Sequence, residues 1–138
     1  MWLFLGGAAM NHIIETRLET ATTLTAGALI PYGTVEHKQG CSMDASGTTI
    51  KIKGSGYYTV VANVTLAPTA AQDITITLAN NGVPIAKAIE TPSAAGSNVN
   101  LTLIGVVYNP CGCANDALTI SVDSACTVNA SNVIVERK

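Results

Sequence analysis

The segment from Gly54 to Leu66, GSGYYTVVANVTL, constrains the fold more than any other part of the chain. Side chains of an extended strand alternate between two faces, so every second residue lies on the same side. One face mixes Thr and Asn with Tyr57 and Val61. The other face is apolar apart from one phenol hydroxyl, and it consists of Tyr58, Val60, Ala62, Val64 and Leu66. The segment therefore predicts a strand that covers a core with one of its faces.

Similar short runs follow one another along the chain, separated by turn residues. The Asn81-Gly82 pair supplies the positive φ angles of a tight hairpin turn between two of these runs. No run after residue 27 has a convincing helical pattern. Eight or nine short strands joined by turns predict an all-β fold, an antiparallel β-sandwich or jelly roll. The predicted strands are residues 28–37, 42–44, 48–53, 57–66, 73–80, 83–90, 99–109, 117–122 and 126–138.

Residues 1–27 differ in composition from the rest, and we predict a short N-terminal docking arm and connector there, ahead of a jelly-roll domain at 28–138. The apolar start lacks a basic region and is shorter than the ~7 to 15 residues of a signal-peptide core. It is either a frayed tail or an apolar plug that docks onto a neighbouring protein. The plug is favoured because the only Trp and the only Phe of the chain are here. The candidate docking residues are Trp2, Leu3, Phe4 and Leu5.

Composition points to a subunit interface. Hydrophobic residues make up 48% of the chain and charged residues only 12%, against roughly 25% charged in an average globular protein. A single domain of this length buries only about two thirds of the surface of its unfolded chain. Apolar residues on the second faces of the strands can be scattered surface residues, which are common, or an interface. The candidate interface residues are Tyr57, Val61, Ile104, Val106 and Tyr108.

Several functional classes are not expected. The net charge is −2 and the basic residues are scattered, so a nucleic-acid partner is not predicted. No run approaches the roughly 18 apolar residues of a membrane span. Gly54-Ser55-Gly56 lacks the full nucleophile elbow and no carboxylate pair has acid/base spacing, so we expect no enzyme, no catalytic residues and no cofactor. Asp116 and Asp123 are interpreted as exposed turn carboxylates, and no metal site is predicted.

The four cysteines leave two states open. The Cys-Gly-Cys spacing is too tight for a zinc knuckle. Loops at opposite ends of strand 117–122 would be about 20 Å apart at ~3.3 Å per residue, whereas a disulfide needs a Cα separation of about 5.5 Å. We therefore favour free thiols over a disulfide, in agreement with a reducing compartment. The cysteines are Cys41, Cys111, Cys113 and Cys126.

The order of these motifs resembles the trimeric jelly rolls of the tumour necrosis factor and complement globular-head type. The resemblance covers roughly residues 28–138. Related variants occur in bacteriophage head fibres and capsid decoration proteins, and in the tips of collagen-like spore filaments. The chain has no Gly-X-Y repeats, so it departs from the spore-filament variant. The motifs that carry the resemblance are GSGYYTVVANVTLAP, ITITLANNGVPIAKA, LTLIGVVYN, NDALTISVDS and NVIVERK.

This resemblance implies a homotrimer packed around a threefold axis, with an attachment role rather than catalysis. By analogy with the phage variants, we expect a structural virion protein, a capsid decoration or head-fibre protein. It would be assembled in the bacterial cytoplasm, held on the outer capsid surface by binding of its arm to the major capsid protein, and able to present loops to a host cell surface. The alternative is a secreted lectin-like or cytokine-like binding module, with glycans on the sequons at Asn63, Asn100 and Asn129.

Overall fold

Eleven β-strands and no helix are found in the part of the chain that the computed structural model describes, residues 12–110 and 116–138. No helix that could span a membrane is therefore present in these residues. The strands are β1 (Ile13–Leu18), β2 (Thr22–Leu24), β3 (Thr34–Gln39), β4 (Met43–Ser46), β5 (Thr49–Ile52), β6 (Gly56–Pro68), β7 (Ile74–Asn80), β8 (Val83–Glu90), β9 (Val99–Asn109), β10 (Asp116–Val122) and β11 (Cys126–Arg137).

The strands form two antiparallel sheets. The six-stranded sheet has the order β3-β1-β11-β6-β9, with β2 pairing to β11 as well. The five-stranded sheet has the order β4-β5-β10-β7-β8. Neighbours in each sheet are often distant in sequence, as in a jelly roll, where the chain crosses repeatedly from one sheet to the other. The predicted all-β antiparallel jelly roll is confirmed.

The core lies between the two sheets and follows the predicted alternation. Every inward residue predicted for the strand at 57–66 is at most 1% exposed. The inward residues of β7 and β10 are buried as predicted, and full burial of each large aliphatic side chain stabilises the fold by about 1.5–3 kcal/mol. The buried residues of these three strands include Tyr58, Val60, Ala62, Val64, Leu66, Ile74, Ile76, Leu78, Leu118, Ile120 and Val122.

The β7–β8 hairpin turns where the sequence predicts. Asn80 pairs with Val83, and the two residues between them have positive φ angles, 53° at Asn81 and 83° at Gly82. Both angles are typical of the two-residue turn that Asn-Gly favours. The hairpin places β8 at the edge of the five-stranded sheet, as expected for a strand with Pro84 near its start.

Ile13–Leu18 and Thr22–Leu24 belong to the six-stranded sheet, although residues 1–27 were predicted to be an arm and connector. β1 lies between β11 and β3, and it buries Ile14, Thr16 and Leu18 on one face. This alternation was missed because Ile13, Ile14, Leu18 and Ala21 would also form a weak helical stripe. The Thr-rich end, whose β-branched side chains favour strands, forms β2. The first described strand of the jelly roll therefore begins at Ile13 rather than near residue 28.

The strand predicted at 28–37 is shorter than expected. β3 begins at Thr34, and the preceding residues contribute only a single bridge between Leu29 and Ser121. Gly33 has a φ angle of 83°, and a Cβ there would lie 2.3 Å from the Arg17 carbonyl oxygen. Together with Pro31, which has no N–H to donate, this close turn prevents regular pairing.

Candidate self-association surface

The outward face of the six-stranded sheet exposes large apolar side chains over β6 and β9. Cross-strand pairs place Tyr57 beside Tyr108 and Val61 beside Ile104, with Val106 between these two rows. Ile104 is 67% exposed, Val106 59%, Tyr57 55% and Tyr108 53%, whereas Val61 is half-buried. The structure thus brings the five predicted interface residues together on one face, here named the apolar band. That they form a trimer interface stays a prediction.

The two tyrosines of the apolar band lie against each other. The ring centroids of Tyr57 and Tyr108 are 4.5 Å apart, with the ring planes tilted by 32°. Such aromatic pairs are worth about 0.5–1.5 kcal/mol beyond the area they bury. The pair restricts both side chains before any partner arrives, so it presents a large surface at a low cost in side-chain entropy.

Apolar exposure continues around the edge of the sandwich onto β8. Val83 is 64% exposed, Ile89 62% and Ile85 37%. β8 and β9 are edge strands of different sheets that lie against each other. Gly105 of β9 allows this approach, because a Cβ there would lie 3.6 Å from the Ala86 Cβ on β8 and 3.0 Å from a methyl carbon of Leu78 on β7. Pro84 predicts an edge strand from the sequence, but the apolar residues of β8 are not among the predicted interface residues.

The edge strand β8 also carries features that oppose strand addition. Pro84 has no N–H to offer a further strand, and Lys87 places a charge in the middle of β8. Proline and lysine are common on edges that must not extend a sheet. Association through this edge is therefore expected to involve side-chain packing rather than a continuous sheet.

Polar pairs border the apolar band on the same face. Thr102 donates a hydrogen bond from Oγ1 to Asn63 Oδ1 at 2.8 Å, and Thr65 donates one from Oγ1 to Asn100 Oδ1 at 2.7 Å. These hydrogen bonds join β6 to β9 through side chains, in the rows that follow Val61 and Ile104. The face therefore divides into an apolar part and a polar part with ordered amides.

A charged cluster lies across β1 and β3 on this sheet. Glu15 lies 3.8 Å from Arg17 Nη2 and 4.0 Å from His37 Nε2, and it accepts a hydrogen bond from Asn132 Nδ2 at 2.9 Å. Arg17 also lies 3.3 Å from Glu36. Since the pairs are mostly exposed, they are worth little in stability. They bound the face on the side opposite to β9.

Ion pairs also connect the two sheets at their other edge. Asp44 of β4 accepts hydrogen bonds from the ammonium groups of Lys38 of β3 and Lys53. These contacts lower the pKa of the Asp44 carboxyl from 3.8 to about 2. β3 belongs to the six-stranded sheet and β4 to the five-stranded sheet, so the Lys38 contact spans the gap between them.

The two aspartates considered as metal ligands have structural roles. Asp116 accepts a hydrogen bond from Asn81 Nδ2 at 3.1 Å, and Asp123 Oδ1 accepts one from the Thr75 N–H at 2.8 Å. The interpretation of Asp116 as an exposed carboxylate was wrong, because only 7% of it is exposed. It begins β10 and points inward with Leu118. Within residues 12–110 and 116–138, no group of three His, Cys, Asp or Glu residues could hold a metal ion.

Two cysteines lie in the described chain and both are free thiols, Cys41 exposed and Cys126 buried. Burial raises the pKa of the Cys126 thiol, and the negative charge of Asp123 acts in the same direction. Cys126 is therefore a poor nucleophile. Cys111 and Cys113 lie outside the described residues, so their redox state stays a prediction.

The predicted capsid-docking residues also lie outside the described part of the chain. These are Trp2, Leu3, Phe4 and Leu5. Their role stays a prediction that rests on the sequence.

Comparisons by sequence and by structure give different results. No protein-family model matches the chain, and no curated protein matches it by sequence. Many solved structures match it by fold. The crystal structure of murine APRIL at pH 5.0 superposes with a TM-score of 0.73 at 11% identity, covering 93% of this chain and 99% of that one.

Two further structures widen the range of the comparison. The Eiger TNF of S. frugiperda gives a TM-score of 0.69 at 7% identity, covering 94% of this chain and 92% of that one. The globular domain of zebrafish complement 1qA gives a TM-score of 0.69 at 9% identity, covering 92% of this chain and 99% of that one. At these identities the likeness shows the fold alone. The chain has the jelly-roll fold shared by tumour necrosis factor-like proteins and the complement 1q globular domain.

Proposed function

We propose that this protein is a self-associating binding module of the cytokine-like or complement-head-like kind, and that its working unit is a homotrimer. The apolar band would lie at the subunit contact, with the apolar residues of β8 beside it. The observation that carries the proposal is the exposure of Ile104, Val106, Tyr57 and Tyr108 on one sheet face, all above 50%. A contiguous apolar surface of this kind marks an interaction site.

The size of the apolar band suits an assembly of copies. Full burial of one large apolar side chain contributes about 1.5–3 kcal/mol, and each copy offers the four exposed side chains of the apolar band. Association costs about 4–15 kcal/mol in lost translational and rotational freedom. Four such side chains in each copy are of the magnitude needed to offset that cost. The residues of the β8 edge add to the available area.

The fold comparisons support a binding role more than a virion role. The names of the similar structures are murine APRIL, the Eiger TNF and the globular domain of complement 1qA. This supports the cytokine-like alternative of the sequence analysis, although fold alone does not fix function. In this proposal the protein acts by presenting surfaces from a rigid trimer, and no catalytic step is involved.

The virion hypothesis rests on different residues. A capsid decoration or head-fibre protein would use Trp2 to Leu5 to bind a major capsid protein, with the jelly roll displayed outward. Its location on a capsid and its contact with a host surface stay predictions, because they depend on the N-terminal segment. Deleting residues 2–10 tests the hypothesis: capsid occupancy should fall sharply, and unchanged occupancy would refute it.

A charge in the apolar band tests the proposed homotrimer. Ile104→Arg should yield single copies, because a buried unpaired guanidinium costs far more than the lost contact. Thr119→Arg is the matched control, since it adds the same charge to the outward face of β10 in the other sheet. Sedimentation velocity should find wild type and Thr119→Arg at one sedimentation coefficient and Ile104→Arg at a lower one. Equal coefficients for all three proteins would refute the proposal.

A further inference from the structure

The four tyrosines of the chain fall into two classes. Tyr32 and Tyr58 are buried, at 2% and 0% exposed, and their hydroxyls donate hydrogen bonds to backbone carbonyl oxygens at 2.8 Å. Tyr57 and Tyr108 are 55% and 53% exposed. Neither of these two hydroxyls makes a hydrogen bond in the part of the chain that the structure describes. The second class therefore consists of phenols that are open to solvent.

The sheet holds the two exposed phenols together. Tyr57 of β6 and Tyr108 of β9 lie directly opposite each other in the antiparallel ladder. Their ring centroids are 4.5 Å apart and the ring planes are tilted by 32°, so carbon atoms of the two rings are in van der Waals contact. Exposed side chains reorient within picoseconds to nanoseconds, whereas the backbone pairing keeps the rings adjacent. The two phenols therefore meet repeatedly without having to diffuse together.

We propose that Tyr57 and Tyr108 form a site of oxidative modification, at which a one-electron oxidant joins the two rings as dityrosine. The oxidant is a haem peroxidase supplied with hydrogen peroxide. Each phenol loses one electron and one proton to give a phenoxyl radical, and the peroxide is reduced to two molecules of water. The two radicals then form a C–C bond between ring carbons that neighbour the C–O carbons. The hydrogens on these carbons move to the oxygens, so both hydroxyls are restored and the chain has lost two hydrogen atoms.

The geometry favours coupling within one chain. Two radicals that the sheet holds side by side react in a unimolecular step, at an effective concentration far above that of any protein in solution. Tyr32 and Tyr58 cannot reach an enzyme-bound oxidant, because both are buried. The cross-link should therefore join Tyr57 to Tyr108 selectively, and its formation should not depend on the protein concentration of single copies.

The new bond would join β6 to β9 at one end of the apolar band. It closes a loop of about 50 residues, which lowers the conformational entropy of the unfolded chain and so favours the folded state. Both rings belong to one chain, so the modification does not depend on the proposed homotrimer. A homotrimer that covers the apolar band would also cover the tyrosine pair, and single copies are therefore the reactive form.

The test treats the full chain with a haem peroxidase and hydrogen peroxide. Two samples keep the apolar band uncovered, namely wild type diluted until light scattering finds single copies, and Ile104→Arg over a range of concentrations. Dityrosine fluorescence should appear in both samples. Peptide mass spectrometry should find Tyr57 joined to Tyr108 within one chain, with the loss of two hydrogen atoms. The fraction of cross-linked Ile104→Arg chains should be the same at every concentration, and these chains should unfold at a higher urea concentration than untreated ones.

Single phenol deletions provide the controls. Tyr57→Phe and Tyr108→Phe keep an aromatic ring in the apolar band but remove one of the two phenols, and each should reduce the dityrosine signal to that of untreated protein. Tyr32→Phe is the matched control, since it removes a buried phenol and should leave the yield unchanged. The proposal is overturned if neither sample forms dityrosine, if the yield rises with protein concentration as coupling between chains requires, or if Tyr57→Phe gives the wild-type yield.

Discussion

The two edges of the sandwich differ in chemistry. At the β3–β4 edge, the carboxylate of Asp44 holds Lys38 and Lys53, and the charges connect the sheets. At the β8–β9 edge, Val83 and Ile89 are more than 60% exposed and no such ion pair is found among the described residues. The charges of the β3–β4 edge are thus paired within a single copy, and this edge can remain in contact with water. The other leaves apolar surface uncovered, which identifies it as the side where a second copy is expected.

The same contrast is found within the strand β9. Its inward residues Leu101, Leu103 and Val107 are at most 2% exposed, whereas Ile104 and Val106, between them, point outward. An antiparallel strand with one solvated face normally alternates apolar with polar residues. β10 follows that rule, with Thr119 and others on its outward face. β9 does not, so its outward face is expected to be covered.

The largest expected effect separates the two faces of β9. Leu103→Ala should lower the free energy of unfolding by about 2–5 kcal/mol, because it leaves a cavity between the sheets. Ile104→Ala should change it by less than about 0.5 kcal/mol in single copies. Urea unfolding at a concentration where light scattering finds single copies measures both. Equal losses would mean that Ile104 is part of the monomer core.

Two tyrosines compare the stability contribution of a hydroxyl in the protein interior with that of a hydroxyl in the apolar band. Tyr32 is 2% exposed and donates a hydrogen bond to the Leu118 carbonyl oxygen at 2.8 Å, and burial raises the pKa of its hydroxyl. Tyr32→Phe should lower the free energy of unfolding by about 0.5–1.5 kcal/mol, since it removes one buried hydrogen bond. Tyr57→Phe in the apolar band should change it by less than about 0.5 kcal/mol. A similar loss in both variants, measured by urea unfolding, would contradict this assignment.

The smallest effect concerns the ion pairs of the β3–β4 edge and appears only in acid. The pKa of Asp44 is lowered from 3.8 to about 2 in the folded protein. Its stabilising contribution is complete above pH 3.8 and is lost as the pH falls through about 2. Asp44→Asn should remove this part of the pH dependence, and unfolding measured between pH 5 and pH 2 checks it. The effect is small because the group is exposed. Parallel pH profiles for the two proteins would show that the contacts contribute nothing.

Much of the fold follows from local pattern. The alternation in β6, β7 and β10 and the Asn81-Gly82 turn were predicted correctly because period and turn chemistry act within a few residues. β1 was not predicted, since a short run with Thr in its middle resembles a connector. Its status as a central strand is set by pairing with β11, more than 100 residues away.

The apolar band could be predicted in part, because apolar residues on both faces of a strand are visible in the sequence. Val83 and Ile89 could not be added to it, because only the packing of β8 against β9 shows that they continue the same surface.

The most direct test of the account is the mass of the wild-type protein in solution, measured by light scattering over a range of concentrations. The account predicts a plateau at three times the chain mass of 14.2 kDa, unchanged by a reductant. A constant mass of 14.2 kDa at all concentrations would contradict it. In that case, the exposed surface of β6, β8 and β9 would have to be covered by a different protein.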